Sequence, residues 1–130
     1  MALPVSKIMR KKVAKCKADV TIFKAVKILK RYNTSTVVIV DNNNYVIGIF
    51  SERDLVNKVV SKKIDVEKTL ISEVMTSPVY CGDINQTNVE ISNMIVKKNI
   101  RKIPIVKDFK LVGIVAEHDI LVNLAESFFS

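Results

Sequence analysis

Two stretches of this chain place an acidic side chain where it could hold a ligand. Val46 to Val56 reads VIGIFSERDLV and Leu111 to Val122 reads LVGIVAEHDILV; each runs from an apolar strand through a Gly-Ile step to an aspartate six residues after the glycine. The glycines are Gly48 and Gly113, and the aspartates Asp54 and Asp119. A strand that ends on glycine lets backbone approach a ligand closely, and a carboxylate opening the next helix can grip hydroxyl groups. Two copies predict two related sites.

The elements that must position these residues are duplicated as well. Met9 to Val40 lies on Met75 to Val106 at an offset of 66, pairing Met9 with Met75, Thr21 with Thr87 and Asn33 with Asn99, and the offset becomes 65 for Gly48 and Gly113. Residues 1–65 and 66–130 therefore read as two repeats. Each is near the lower size limit for an independent core, so they are expected to pack as one α+β module with pseudo-twofold symmetry. Within a repeat the pattern predicts β-α-β-β-α. A short strand at Val13 to Cys16 leads to a helix over Ile22 to Tyr32 capped by Thr21, and Thr87 and Glu90 have the spacing of a capping box before the second copy. A hairpin follows, VVIV then YVIGIF in repeat one and IPIV then LVGIV in repeat two, and closing helices are expected near Glu52 to Ser61 and Glu117 to Ser127.

An apolar content of 48% with 26% charged residues is that of a globular domain. No run approaches the ~20 apolar residues of a membrane span, and the amino-terminal stretch lacks a signal-peptide core, so a cytoplasmic location without membrane attachment is expected. Cys16 and Cys81 read as buried free thiols in corresponding strands. Charge is uneven: residues 1–31 sum to +9, with ten basic side chains against Asp19, while the remaining residues sum to −1. Such an excess draws anions, whether ligand phosphates, nucleic acid or an acidic partner; a solvated lysine-rich face is the plainer reading.

The order of elements, the Met75 to Val79 opening, the IPIV strand at Ile103 to Val106 and the two Gly-Ile-x-x-x-x-Asp endings together resemble a tandem pair of CBS domains, the module named for cystathionine beta-synthase. The resemblance covers essentially the whole chain and implies two clefts that bind adenosine-containing ligands such as AMP, ADP, ATP or S-adenosylmethionine. It also implies regulation of another protein, here by a stand-alone module. In that pattern the aspartate holds ribose hydroxyls and a Thr or Ser three residues before it assists; Gly48 to Asp54 keeps Ser51, whereas Gly113-Ile114 to Asp119 carries Ala116 instead. The same analogy assigns Ser77, Pro78, Val79, Lys102, Ile103 and Pro104 to the Asp54 cleft, with Ser35 and Thr36 beside its phosphate position. It assigns Lys11, Lys12, Val13, Thr36, Val37 and Val38 to the Asp119 cleft, with Arg101 and Lys102 for phosphates. Read without the resemblance, Ser51-x-x-Asp54 is also a capping box, Arg101 and Lys102 a solvated turn, and His118 a neutral surface residue.

Catalysis has little footing. No histidine stands beside a nucleophile, there is no phosphate-binding glycine loop, and no catalytic residue, metal cluster or cofactor is expected beyond the nucleotide as regulatory ligand. An adaptor or nucleic-acid binder acting through the basic amino-terminal face is the alternative. Leu55, Val59, Ile120, Leu124 and Phe128 in the closing helices are expected to form a homodimer interface.

Overall fold

A computed structural model of the chain describes residues 2–129. It is mixed α+β, with two three-stranded sheets, one in each of two compact units. One unit is Val13–Val79; the other combines the described residues of Met1–Lys12 and Tyr80–Ser130. The packing units thus divide the chain differently from the sequence repeat. Each repeat's core is completed by the segment that precedes the other repeat.

In the Val13–Val79 unit, β1 (Lys15–Cys16) runs parallel to β2 (Thr36–Val40), which pairs antiparallel with β3 (Val46–Ser51). The parallel pair requires a crossover, and α1 (Ile22–Tyr32) supplies it. Thr21 caps α1 by accepting the Lys24 N–H, and Asn33 ends it in the left-handed conformation. Asn99 ends the equivalent helix in the same way, which gives the Asn33 and Asn99 match a backbone cause. In the hairpin turn, Asp41 accepts N–H groups from Asn43 and Tyr45, while Lys15 and Lys17 reach across to Asn44, Asn42 and the Asp41 carbonyl. Ile22, Ala25 and Leu29 of α1 pack with Val37, Ile39, Phe50 and Val59, and with Ile71 and Val74 from the returning segment.

The second unit repeats the plan with β4 (Gly82–Asp83), α3 (Asn88–Lys98), β5 (Lys102–Lys107), β6 (Lys110–Ala116) and α4 (Glu117–Phe129). Thr87 and Glu90 form the expected capping box. Val5, completely buried, joins Ile91, Ile95, Ile103, Ile105 and Val115 in the core. Both hairpins carry a register shift at matching places, Ile39/Val40 and Ile105/Val106.

Four expectations are corrected. The strand at Val13 to Cys16 is only Lys15–Cys16. The first closing helix is a single α-turn, α2 (Glu52–Asp54), continued as a π-helix over Leu55–Val60 rather than a regular α-helix to Ser61. Cys16 corresponds to Gly82 rather than Cys81, which lies one residue ahead of β4 and is half-buried, not buried; Ile91 and Ile105 crowd any side chain at Gly82. Finally, Leu55, Val59 and Ile120 pack toward their own cores, while Val56, Val60, Leu121, Val122, Leu124 and Phe128 are large apolar residues left exposed on these helices. No helix among the described residues is long and apolar enough to cross a membrane.

Candidate functional site

The two aspartates occupy the same place in their units, at the first turn of the helix after the glycine-bearing strand. In the Val13–Val79 unit, Asp54 Oδ2 accepts the Ser51 N–H at 3.0 Å and Ser51 Oγ accepts the Asp54 N–H at 3.2 Å. Both halves of the capping box therefore form. In the other unit Asp119 Oδ2 accepts the Ala116 N–H at 2.9 Å, so the carboxylate keeps its half of the box although Ala116 has no hydroxyl to return. In both cases one carboxylate oxygen is held by backbone and the other is turned outward.

The outward oxygens meet cations that come from different positions. Asp119 Oδ1 accepts from Arg10 Nε at 3.0 Å and from an Arg10 terminal nitrogen at 2.8 Å. Asp54 Oδ1 lies 3.6 Å from Lys58 Nζ, one turn further along its own helix. At the repeat offsets Arg10 corresponds to Thr76 and Lys58 to Asn123, so each unit recruits its counter-ion where the other has a neutral residue. Thr76 Oγ1 instead accepts from Lys58 at 2.9 Å, and Lys58 also reaches the Val74 carbonyl at 3.3 Å. The aspartate side chains stay accessible, Asp119 at 12% and Asp54 at 19%. Arg10 and Lys58 were not singled out from the sequence. For Arg10 the available signal was its place directly after Met9, opposite Thr76 in the repeat.

The short segments carrying Arg10 and Thr76 are edge additions to the sheets. Arg10 pairs with Ile114, and Thr76 with Ile49, each through two backbone hydrogen bonds. This explains the glycines in packing terms. A Cβ on Gly48 would collide with Met75, and one on Gly113 would meet Met9 Sδ at 2.6 Å and the Arg10 carbonyl at 3.1 Å. Neither glycine has a positive φ; close approach by a neighbouring strand, not turn geometry, requires them.

The other candidate residues divide between the units. With Asp54 stand Ser35, Thr36, Val37, Val38, Val13 and the Ser77-Pro78-Val79 segment. The Ser35 carbonyl accepts the Glu52 N–H, Thr36 pairs with Ser51, and Ser77 Oγ donates to the Ile47 carbonyl. The Ser77-Pro78 peptide bond is cis. Val37 and Val38 are fully buried, backbone and side chain alike. With Asp119 stand Lys11, Lys12, Arg101, Lys102, Ile103 and Pro104. Lys11, Lys12 and Arg101 are exposed, Lys102 is half-buried, and Ile103 and Pro104 are buried. The Arg101 carbonyl accepts the Glu117 N–H as Ser35 does for Glu52, so arginine occupies in one unit the position that serine holds in the other.

The basic start is divided too: Lys7, Arg10, Lys11 and Lys12 belong to the Asp119 unit, and the other six cations to the Asp54 unit. Burial pushes the Cys16 thiol up to about 11 and raises Cys81 as well, so both favour the neutral form. No group of three or more His, Cys, Asp or Glu that could hold a metal occurs among the described residues.

Two sheet-and-helix units of one pattern, each ending in a glycine strand and a helix-opening aspartate, define a tandem repeat module, and comparison with known proteins agrees on its family. Residues 5–61 and 71–126 each match the CBS domain, and the chain belongs to that family. It is 36% identical over 124 residues to an uncharacterized 17.7 kDa protein of Acidianus ambivalens, covering 92% of this chain and 72% of that one. It is 30% identical to the CBS domain-containing protein YhcV of Bacillus subtilis, covering 92% and 84%. A relative in Methanopyrus kandleri is 38% identical over 94 residues, 72% of this chain and 48% of its own length, so the chain spans about half of that protein. Among solved structures, a CBS domain pair in complex with 5′-methylthioadenosine and S-adenosyl-L-methionine superposes with a TM-score of 0.87 at 26% identity, covering 98% of this chain and 99% of the other.

Proposed function

We propose that the chain is a regulatory module that senses adenosine-containing ligands, AMP, ADP, ATP or S-adenosylmethionine, through Asp54 and Asp119, and transmits the signal to a separate protein. The observation that carries this reading is the repeated carboxylate, with one oxygen anchored by a backbone N–H and the other outward and partly accessible. A carboxylate pre-oriented in this way accepts hydrogen bonds from the two hydroxyls of a ribose without first losing conformational freedom. At Asp119 those hydroxyls replace the donors that Arg10 gives to Oδ1. The freed guanidinium, on a side chain already 61% exposed, then turns toward phosphate together with Arg101 of the same unit. The Asp54 site has Ser35 in place of Arg101 and is the less cationic of the two. The solved relative with bound methylthioadenosine and S-adenosylmethionine supports the ligand class.

The exposed apolar residues Val56, Val60, Leu121, Leu124 and Phe128 support self-association through the closing helices. A thermal-shift panel of adenosine, AMP, ADP, ATP and S-adenosylmethionine tests the ligand reading. At a ligand concentration a hundred times Kd the fold gains about 2.7 kcal/mol; no shift with any of the five overturns the proposal.

A further inference from the structure

Helix α1 turns Ile22, Ala25 and Leu29 into the core, with Ile28 packed at the edge of it, and leaves its opposite face to Phe23, Lys24, Lys27 and Arg31. Ile28 and these four residues line a shallow groove of about 450 Å3. Phe23 is 44% exposed, and Lys27 Nζ stands 5.3 Å from the centre of its ring. The helix contains no acidic residue, so Lys24, Lys27, Lys30 and Arg31 find no counter-ion along it.

The fold does not demand this surface. At the repeat offset α3 carries Val89, Glu90, Asn93, Met94 and Lys97, in which one acid and one base balance. Nor is the face simply part of a general basic excess, because Arg10 is engaged by Asp119, and Lys15 and Lys17 by the hairpin turn. A cationic face that also presents an exposed aromatic ring has a definite complement: carboxylates with an apolar side chain among them. A phosphate backbone would use the cations and leave Phe23 without an apolar partner. The cations from Lys24 to Arg31 also span only about 10 Å of helix axis, room for few phosphates.

We propose that this face of α1 docks an acidic segment of another protein, which sets an aromatic or aliphatic side chain against Phe23 and carboxylates against Lys24, Lys27 and Arg31. The inference is independent of the nucleotide reading. It is tested on the full chain by fluorescence anisotropy with a labelled synthetic peptide carrying a Leu-Phe pair flanked on both sides by glutamates. Saturable binding is expected, weakened about tenfold by Phe23→Ser and about tenfold by the combined Lys24→Gln, Lys27→Gln and Arg31→Gln variant. All four side chains are exposed, so thermal melts of the variants should match the parent, and Val89→Ser on α3 should leave peptide binding unchanged. A control peptide with Gly-Ser in place of Leu-Phe should bind about tenfold more weakly. The proposal is overturned if the peptide does not bind, if Val89→Ser weakens it as much as Phe23→Ser, or if the Gly-Ser peptide binds equally. Tighter binding of a single-stranded oligothymidylate through the same cations also overturns it, in favour of a nucleic-acid surface.

Discussion

Asp54 and Asp119 share a backbone setting but not a charge setting, and the difference has a measurable consequence. Asp119 faces Arg10 directly and has Arg101 and Lys102 in its unit, whereas Asp54 has Lys58 at 3.6 Å and Ser35 and Thr36 beside its helix. Phosphate-rich ligands should favour the Asp119 site and weaken there as salt rises, because partly exposed cations are screened. Asp119→Ala should therefore weaken mainly the salt-sensitive binding of ATP, by about 10- to 100-fold, the contribution of hydrogen bonds to a charged group. Asp54→Ala should weaken mainly the salt-insensitive binding of adenosine or AMP. Calorimetry on both variants at low and high salt checks this; equal loss of the same ligand in both would remove the distinction between the sites. The Arg10 pair itself adds little to the fold, no more than about 1 kcal/mol for so exposed an arginine.

Among elements, the informative pairing is between each glycine strand and the methionine segment laid along it. Gly48→Ala should cost about 1–3 kcal/mol by overpacking against Met75. A double variant with Met75→Ala should be less destabilised than the sum of the two single variants, since the clash is with a flexible side chain. The same cycle at Gly113 and Met9 should recover less, because the Arg10 carbonyl also stands 3.1 Å from the new Cβ and cannot be trimmed away. Denaturant titrations of the six variants measure both couplings. Equal recovery in the two cycles would mean that the Arg10 backbone yields freely.

For the whole molecule, the compact units and the sequence repeats lead to opposite fragment designs. Residues 13–79 contain every member of the core built on Phe50, including Ile71 and Val74, and should melt cooperatively. Residues 1–65 lack those two side chains, a loss of about 3–6 kcal/mol from a total that is typically 5–15, and should be largely unfolded. Circular dichroism melts decide between the two divisions. Self-association belongs to this scale as well: sedimentation at micromolar concentration should show a dimer, dissociated by Leu124→Glu with Phe128→Glu. A parent chain that sediments as a monomer would count against the interface.

The local layout was legible in the sequence because it rests on short-range rules. Helical periodicity and the Thr21 cap placed α1, the Thr87 and Glu90 spacing placed α3, and alternation around the Gly-Ile steps placed the hairpins. Both aspartates were legible because duplication at a constant offset repeats a pattern that chance alone would not. What tertiary structure decided lies at long range. The offset could align Met9 with Met75 but could not say which sheet each would join, since segments flanking a repeat can pack forward or back along the chain. That choice brought Arg10 onto Asp119, 109 residues away, and filled the space beside both glycines. It also divided a continuous basic stretch between two units, leaving the cationic face of α1 as one part of it. Side-chain direction in the closing helices was likewise undetermined, because an apolar residue in a helix apolar on several faces does not reveal which face meets its own core.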